Sequence, residues 1–270
     1  MMLCDKLDKG NLASFSAVCG NKWIAEEKYD GDRIRLHFKG GNLTLISRGK
    51  SGDVTYRYPE VDFKCDSDVV LDGEMCVMDK NGLSQFNEGI AFRTHCQSPD
   101  AILNGMQNYP VTYVVFDILE IDGEDLRSAP WHERRKELEG LEFQSKHIQI
   151  APYSTDITGL WKSVTDRGGE GIILKAVDSP YMEDKRSSFW KKVKDVKEVD
   201  LVFSKFTANP KGIRVETDDG IACQVSGYQA VPVEQELALK GKATLTIRYL
   251  GITKDKKYRQ PTFCKLVEVI

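Results

Sequence analysis

Apolar and polar positions alternate at Ile34, Leu36 and Phe38, and the apolar pair Trp23-Ile24 stands just before them. Period-two alternation predicts a half-buried strand, so two strands flank the polar stretch Ala25-Glu26-Glu27-Lys28-Tyr29-Asp30-Gly31-Asp32-Arg33. After the turn signal Gly40-Gly41-Asn42, Leu43, Leu45 and Ser47 continue a returning strand. Val69-Val70-Leu71 leads through Asp72-Gly73-Glu74 into Met75-Cys76-Val77-Met78, a buried strand that ends at the turn Lys80-Asn81-Gly82. Residues 113–119 form a strongly apolar strand interrupted by Asp117. Helices are expected over 84–93 with Ser84 as N-cap, over 131–141 with Arg134-Arg135-Lys136 on a solvated face, and over 156–167 behind an aspartate cap.

Near residues 195–200 the pattern shifts to short strands at 201–206, 212–216, 221–226, 243–249 and 263–269, with a short helix at 231–239. Five short strands separated by turn residues suit a small barrel of the oligonucleotide-binding type. The fold class expected is α+β, with domains at 1–197 and 198–270.

Several polar residues sit where strands end. Lys28 falls on a strand end or the following Asp30-Gly31 turn, and would act as a nucleophile if burial or neighbouring cations depressed its pKa. Arg33 offers a fork for a phosphate, and Ser47-Arg48-Gly49-Lys50 forms a basic, glycine-containing tip. The alternative for Lys28 to Arg33 is a charged hairpin, and for 47–50 a solvated loop. Glu74 lies in the middle of an apolar strand, where a carboxylate needs a partner: a metal, a ribose hydroxyl or a core ion pair. Phe116 is core or the platform for a nucleobase. Glu170, set between glycines before the apolar run 172–174, suits a metal or a close phosphate. Lys192 and Lys194 share one strand face, for an anion or for solvent.

Composition adds limits. The chain has 270 residues, 41% hydrophobic and 29% charged, with no run long enough to span a membrane and no secretory signal in 1–10. The seven cysteines contain no C-x-x-C pair, which argues against zinc and for a reducing cytoplasm. The net charge of −3 argues against a generic polyanion binder, yet a local basic face still serves. Residues 198–270 carry 11 Lys+Arg against 9 Asp+Glu, so the smaller domain is the more basic one.

Taken in order, Lys28-Tyr29-Asp30-Gly31-Asp32-Arg33, Ser47-Arg48, Asp72-Gly73-Glu74, Phe116-Asp117, 170–175 and Lys192-Val193-Lys194 resemble the successive motifs of the covalent nucleotidyltransferases. The detail of 116–126 and 186–194 is similar to the ATP-dependent DNA ligases, and the resemblance runs from about 22 to 263. It implies a nucleotidyltransferase domain of ATP-grasp-like type, antiparallel sheets with helices, followed by an oligonucleotide-binding (OB-fold) β-barrel. It implies ATP and Mg2+ as cofactors, nicked duplex DNA as partner, a monomer, and a bacterial, archaeal or viral setting. Lys28 would be the catalytic nucleophile. Glu26 would contact adenine, Phe116 would stack on it, Arg33 would hold the nucleotide and Arg48 the phosphate at the nick. Glu74 would bind ribose or support metal, Glu170 would serve the metal, and Lys192 with Lys194 would grip the α-phosphate. Arg259, in the run 259–263, would orient pyrophosphate, with Lys265 in support. Only 27 residues precede Lys28 and the chain ends at Ile270, so the resemblance points to a minimal ligase without an N-terminal DNA-binding domain or latch. DNA would then meet Lys50, Lys205, Lys211, Arg214, Lys254, Lys256 and Lys257. An mRNA guanylyltransferase, an RNA ligase and a non-catalytic DNA-binding module are the competing expectations.

Overall fold

In the computed structural model, which describes residues 1–49, 51–84, 89–252 and 257–267, the chain divides into two compact units, Met1–Lys194 and Asp195–Ile270. Lys50, Lys254 and Lys256 lie outside the described residues.

Along the first unit run β1 (Leu3–Lys6), α1 (Leu12–Cys19), β2 (Trp23–Glu27), β3 (Asp32–Lys39), β4 (Asn42–Ser47) and β5 (Val69–Val77). After them come α2 (Ala91–His95), α3 (Pro99–Asn108), β6 (Val111–Ile121), β7 (Glu124–Asp125) and α4 (Trp131–Glu139). The unit closes with β8 (Ile148–Ile150), β9 (Tyr153–Ser154), α5 (Ile157–Asp166), β10 (Gly171–Ala176) and β11 (Arg186–Lys194). Two sheets result: β4-β3-β5-β6-β7 with β8 beside β6, and β1-β11-β10-β2-β9. The sheets are mixed where the sequence predicts antiparallel pairing, because β1 runs parallel to β11 and β8 parallel to β6.

The alternation at Ile34, Leu36 and Phe38 puts one face of the first sheet into a large core with Leu71, Met75, Val115 and the loop residues Tyr58 and Phe63. The opposite face carries Arg33, Asp72, Glu74 and Phe116 at the intervening positions. In the second sheet, Ala25, Ile172, Leu174 and Val193 pack beneath Leu12 of α1 and Ile157 and Val164 of α5. Its other face meets the first sheet through Trp190, which packs with Met2, Val70, Leu119 and Tyr181.

Two helix expectations need correction. Ser84 caps no helix: it bridges to Met78, and its hydroxyl accepts the Asp30 N–H at 2.9 Å; described helical structure resumes only toward α2. Arg134 and Arg135 of α4 do not face solvent, since both are buried, for reasons given below. The aspartate cap holds, with Asp156 accepting from Gly159 N at 2.8 Å.

In the second unit, β12 (Lys197–Phe203), β16 (Ala243–Tyr249) and β17 (Thr262–Leu266) form one three-stranded sheet. A second comprises β13 (Lys205–Asn209), β14 (Gly212–Glu216) and β15 (Ala222–Ser226). Phe203, Ile213, Val215, Val225, Leu245 and Ile247 share one core with Val233 and Leu237 of α6 (Ala230–Lys240). The expected strand 201–206 is two strands broken at Ser204, so among the described residues six strands replace five. The last strand ends at Leu266, and Glu268 and Val269 fall outside the described residues.

Candidate active site

Strand parity builds the site. Side chains two apart share a face, and the register places Ile173 opposite both Glu26 and Lys192, Lys175 opposite both Ile24 and Trp190, and Gly171 opposite Lys194. Lys28 extends β2 by donating its N–H to Gly171 O at 2.9 Å. Glu26, Lys28, Ile173, Lys175, Lys192 and Lys194 therefore lie on one face, toward the sheet that carries Glu74 and Phe116.

Two glycines permit this closeness. A Cβ on Gly31 would lie 2.2 Å from Met75 O, so the Asp30-Gly31 turn rests on β5 by backbone alone. Gly171 has φ +141°, and a Cβ there would meet Val193 O at 2.0 Å.

Lys28 Nζ donates to Glu170 Oε2 at 2.6 Å, and Lys194 Nζ is 2.6 Å from Glu170 Oε1. One buried carboxylate thus holds two partly exposed lysines. Burial works to lower the Lys28 pKa, but Glu170, followed by Glu74 and Asp30, outweighs it and holds the amine above its ordinary value. This reverses the sequence expectation of a depressed pKa: burial does push the predicted way, and the carboxylate beside it wins. Burial likewise pushes Glu170 up, while Lys28 and Lys194 hold it below the usual carboxylate range. Lys192 is lowered by burial and by Arg186, Lys194 and Lys28. Glu74 is pushed up to about 7 by burial, against the pull of Lys28 and Arg33.

Arg33 needs a second correction. Its fork is not open to a phosphate, because it grips Asp72 (Nε–Oδ1 3.0 Å, Nη2–Oδ2 2.6 Å) and donates from Nη1 to Met2 O at 2.5 Å. Tyr181 also donates to Asp72 at 2.5 Å. The guanidinium carbon lies 5.3 Å from the Phe116 ring centroid, so Arg33 packs against that ring. Arg48 is exposed on the turn after β4, tied by its N–H to Arg33 O at 3.0 Å. Arg259 belongs to the second unit, where its N–H donates to Gly251 O at 2.8 Å; Lys265 lies on β17.

Beside this cluster lies a sealed one that the sequence reading missed in part. Lys175, 1% exposed, is 2.7 Å from Glu26 Oε2 and donates to Phe116 O at 2.8 Å. Its Nζ also lies 4.9 Å from the Phe116 ring centroid and 4.3 Å from that of Trp190. Arg135 comes from α4 to within 3.9 Å of Glu26 Oε1, and its neighbour Arg134 pairs twofold with Asp117 at 2.8 and 2.9 Å. These pairs explain why both arginines are buried and why Asp117 interrupts an apolar strand. Parity in the run 170–175 could have flagged Lys175. Arg135 carries no local signal for this place, since Glu26 lies far away in sequence and only the Glu139 pair is local.

The chemistry available is that of an anion site with a nucleophile. Lysines converge on a carboxylate, a second carboxylate stands beside them, and an aromatic ring lies next to a buried Glu–Lys pair. Among the described residues no three His, Cys, Asp or Glu side chains cluster as a metal site. No described helix is long and apolar enough to cross a membrane.

A family model described as ATP-dependent DNA ligase domain matches residues 1–194. A probable DNA ligase of Streptomyces avermitilis is 35% identical over 187 residues, 66% of this chain and 36% of its own length. A DNA ligase of Methanocorpusculum labreanum is 35% identical over 212 residues, 75% of this chain and 37% of its own length. The chain spans little more than a third of these relatives. Among solved structures, a Lig E DNA ligase superposes with a TM-score of 0.70 at 18% identity, covering 99% of this chain and 98% of that one. The ligase domain of M. tuberculosis LigD does so at 0.59 and 22%, covering 98% and 94%. At these identities the structural likeness speaks for the fold alone, an architecture of mixed sheets and helices.

Proposed function

The chain belongs to the family of ATP-dependent DNA ligase domains, and from that membership we propose that it seals nicks in duplex DNA at the expense of ATP. The observation that carries the reading is the single carboxylate of Glu170 held between Lys28 and Lys194 at 2.6 Å each, on the strand face that also bears Glu26. Lys28 Nζ, once it has given up its proton, attacks the α-phosphorus of ATP. The N–P bond forms, the bond to the β-phosphate oxygen breaks, and pyrophosphate leaves. The AMP then passes to the 5′-phosphate at a nick, and the 3′-hydroxyl displaces it to close the phosphodiester. The work is positioning and charge neutralisation, which needs cations more than acids or bases.

In this reading Lys28 must first part from Glu170, because the ion pair keeps the amine protonated. Glu26 meets the adenine edge, while Phe116 and the half-buried Ile173 enclose its faces. Lys192 and Lys194 take the α-phosphate, Glu74 the ribose, and Arg48, exposed on its turn, the nick phosphate. Glu74 and Glu170 suit Mg2+ as two carboxylates beside a phosphate site, and the ion would neutralise phosphate charge. Arg33 supports the pocket through Asp72.

The first domain, 1–197, is read as the nucleotidyltransferase, and 198–270 as an OB-type barrel, supported by its two three-stranded sheets around one core. Arg259 would orient pyrophosphate, and Lys205, Lys211, Arg214 and Lys257 would contact DNA phosphates. The seven cysteines are free thiols, which suits a monomeric cytoplasmic enzyme.

Incubation with labelled ATP or GTP, followed by intact mass, is the test. An adduct of AMP on Lys28, and sealing of a DNA nick, are expected. A GMP adduct would mean a capping enzyme, sealing confined to RNA ends an RNA ligase, and no adduct a binding module. Arg48→Ala should keep self-adenylation and lose sealing; parallel loss of both would move Arg48 into the nucleotide site.

A further inference from the structure

The two oxygens of Glu26 keep unequal company. Oε2 takes Lys175 Nζ at 2.7 Å. Oε1 is buried and, among the described residues, has no hydrogen-bond partner, with Arg135 Nη1 at 3.9 Å, beyond hydrogen-bond reach. A buried carboxylate oxygen without a donor is costly, so the position is built to receive a donor from a ligand. Arg135 is fixed where it stands. Its Nη1 donates to Ala151 O at 2.8 Å, its Nε to Glu139 at 2.7 Å, and its guanidinium carbon lies 4.9 Å from the Tyr153 ring centroid.

We propose that Arg135 sets base specificity at one remove: its fixed charge behind Glu26 Oε1 keeps that oxygen an acceptor, so the cleft takes a purine with a 6-amino group and refuses one with a 6-oxo group. The inference rests on the reading of this cleft as an adenine site. Arg135 is a positioning residue and does not itself meet the base. Burial raises the proton affinity of Glu26; Lys175 and then Arg135 oppose it, Asp117 adds to the rise, and the Tyr29 hydroxyl is close enough to feel the charge. Without the Arg135 charge, Glu26 takes up a proton more readily. A protonated Glu26 donates to a 6-oxo group and loses its preference. Sites that must hydrogen-bond a substrate N–H discriminate strongly, so the change is readable.

The experiment measures self-nucleotidylation of the full chain with ATP and with inosine triphosphate, which carries an oxygen in place of the 6-amino group and, with it, a hydrogen on N1. It runs from pH 6 to pH 9 for the wild type, Arg135→Gln, Arg135→Lys and Glu26→Gln. The wild-type preference for ATP should change less with pH than that of Arg135→Gln. In Arg135→Gln the preference should fall toward low pH, by about tenfold for each unit by which the Glu26 pKa rises. Arg135→Lys should restore it. Glu26→Gln, which cannot titrate, should show a weakened preference with no pH dependence. A folded Arg135→Gln that keeps the wild-type preference at every pH overturns the proposal. If Arg135→Gln does not fold, a Glu26→Gln preference equal to the wild type overturns it instead. Wild type that reacts with the inosine nucleotide and not with ATP would sink the adenine reading itself, a separate result from an unresponsive Arg135 variant.

Discussion

On the side of the sheet β1-β11-β10-β2-β9 turned to α1 and α5, Ala25, Ile172, Leu174 and Val193 are apolar and inaccessible. On the other side, the alternate positions of the same strands are Glu26, Lys28, Lys175, Lys192 and Lys194. Charges taken out of water cost free energy even when paired. The strands hold them there because their other face buries aliphatic side chains, each worth ~1.5–3 kcal/mol. The charged face divides again. Glu26 and Lys175 are sealed, with side-chain exposures of 3% and 1%, while Lys28 and Lys194 reach solvent at 20% and 26% around Glu170. The sealed pair suits recognition and the open one suits reaction, because a nucleophile must be reached and must be able to change partners.

The largest effect expected from breaking this contrast is at Lys28. Lys28→Ala should abolish the nucleotide adduct, a loss of at least ~10³-fold. The fold should hardly change, because Glu170 keeps Lys194. A normal adduct by intact mass in this variant would remove Lys28 as nucleophile. From the opposite face, Leu174→Ala should cost ~2–5 kcal/mol in urea unfolding. Each folded molecule should still form the adduct. Equal loss of stability and chemistry from both substitutions would mean the faces are not separable.

Glu74 gives a pH signature to the open side. Its folded pKa of about 7 lies above the ordinary carboxyl value of 4.5, so the folded protein holds a proton that the unfolded chain releases first. The stability this contributes is full below 4.5 and is lost as pH rises through about 7, a change of ~1–3 kcal/mol. Glu74→Gln should flatten that slope between pH 5 and pH 8 in urea titrations, and an unaltered slope would assign it to another group.

The smallest expected effect sharpens the pairing at Glu170. Glu170→Gln removes the main cause of the raised Lys28 pKa. The amine should then react with an acylating reagent about tenfold faster at neutral pH for each unit its pKa falls. Unchanged labelling of Lys28 in peptide maps would show that Glu74 and Asp30 suffice to hold it.

Much of this was legible in the chain. Alternation gave β3 through Ile34, Leu36 and Phe38, and Ala243–Tyr249 appears as the expected strand. The motif residues Lys28, Glu170 and Lys194 could be picked out as candidates from local pattern and order. Where pattern failed, two causes recur. The sequence 84–93 offers a serine cap, but Ser84 is drawn into the Asp30 turn, a tertiary bond that outweighs local propensity. The stretch 201–206 has strand composition throughout, and nothing in it announces the break at Ser204.

The sequence by itself determined which side chains share a strand face, because parity is a property of the extended backbone and needs no partner. It also determined the order of the chemical groups and the two glycines that let strands approach. Only the tertiary structure decided which charges meet. Arg33 and Asp72 are 39 residues apart, Lys28 and Glu170 are 142, and Arg134 and Asp117 are 17. An arginine written beside two other cations on a highly charged helix looks solvated until a distant carboxylate arrives in the core. The same holds for the Lys28 pKa: burial and opposite charge push it in opposing directions, and their balance is set by a 2.6 Å distance that no local pattern encodes.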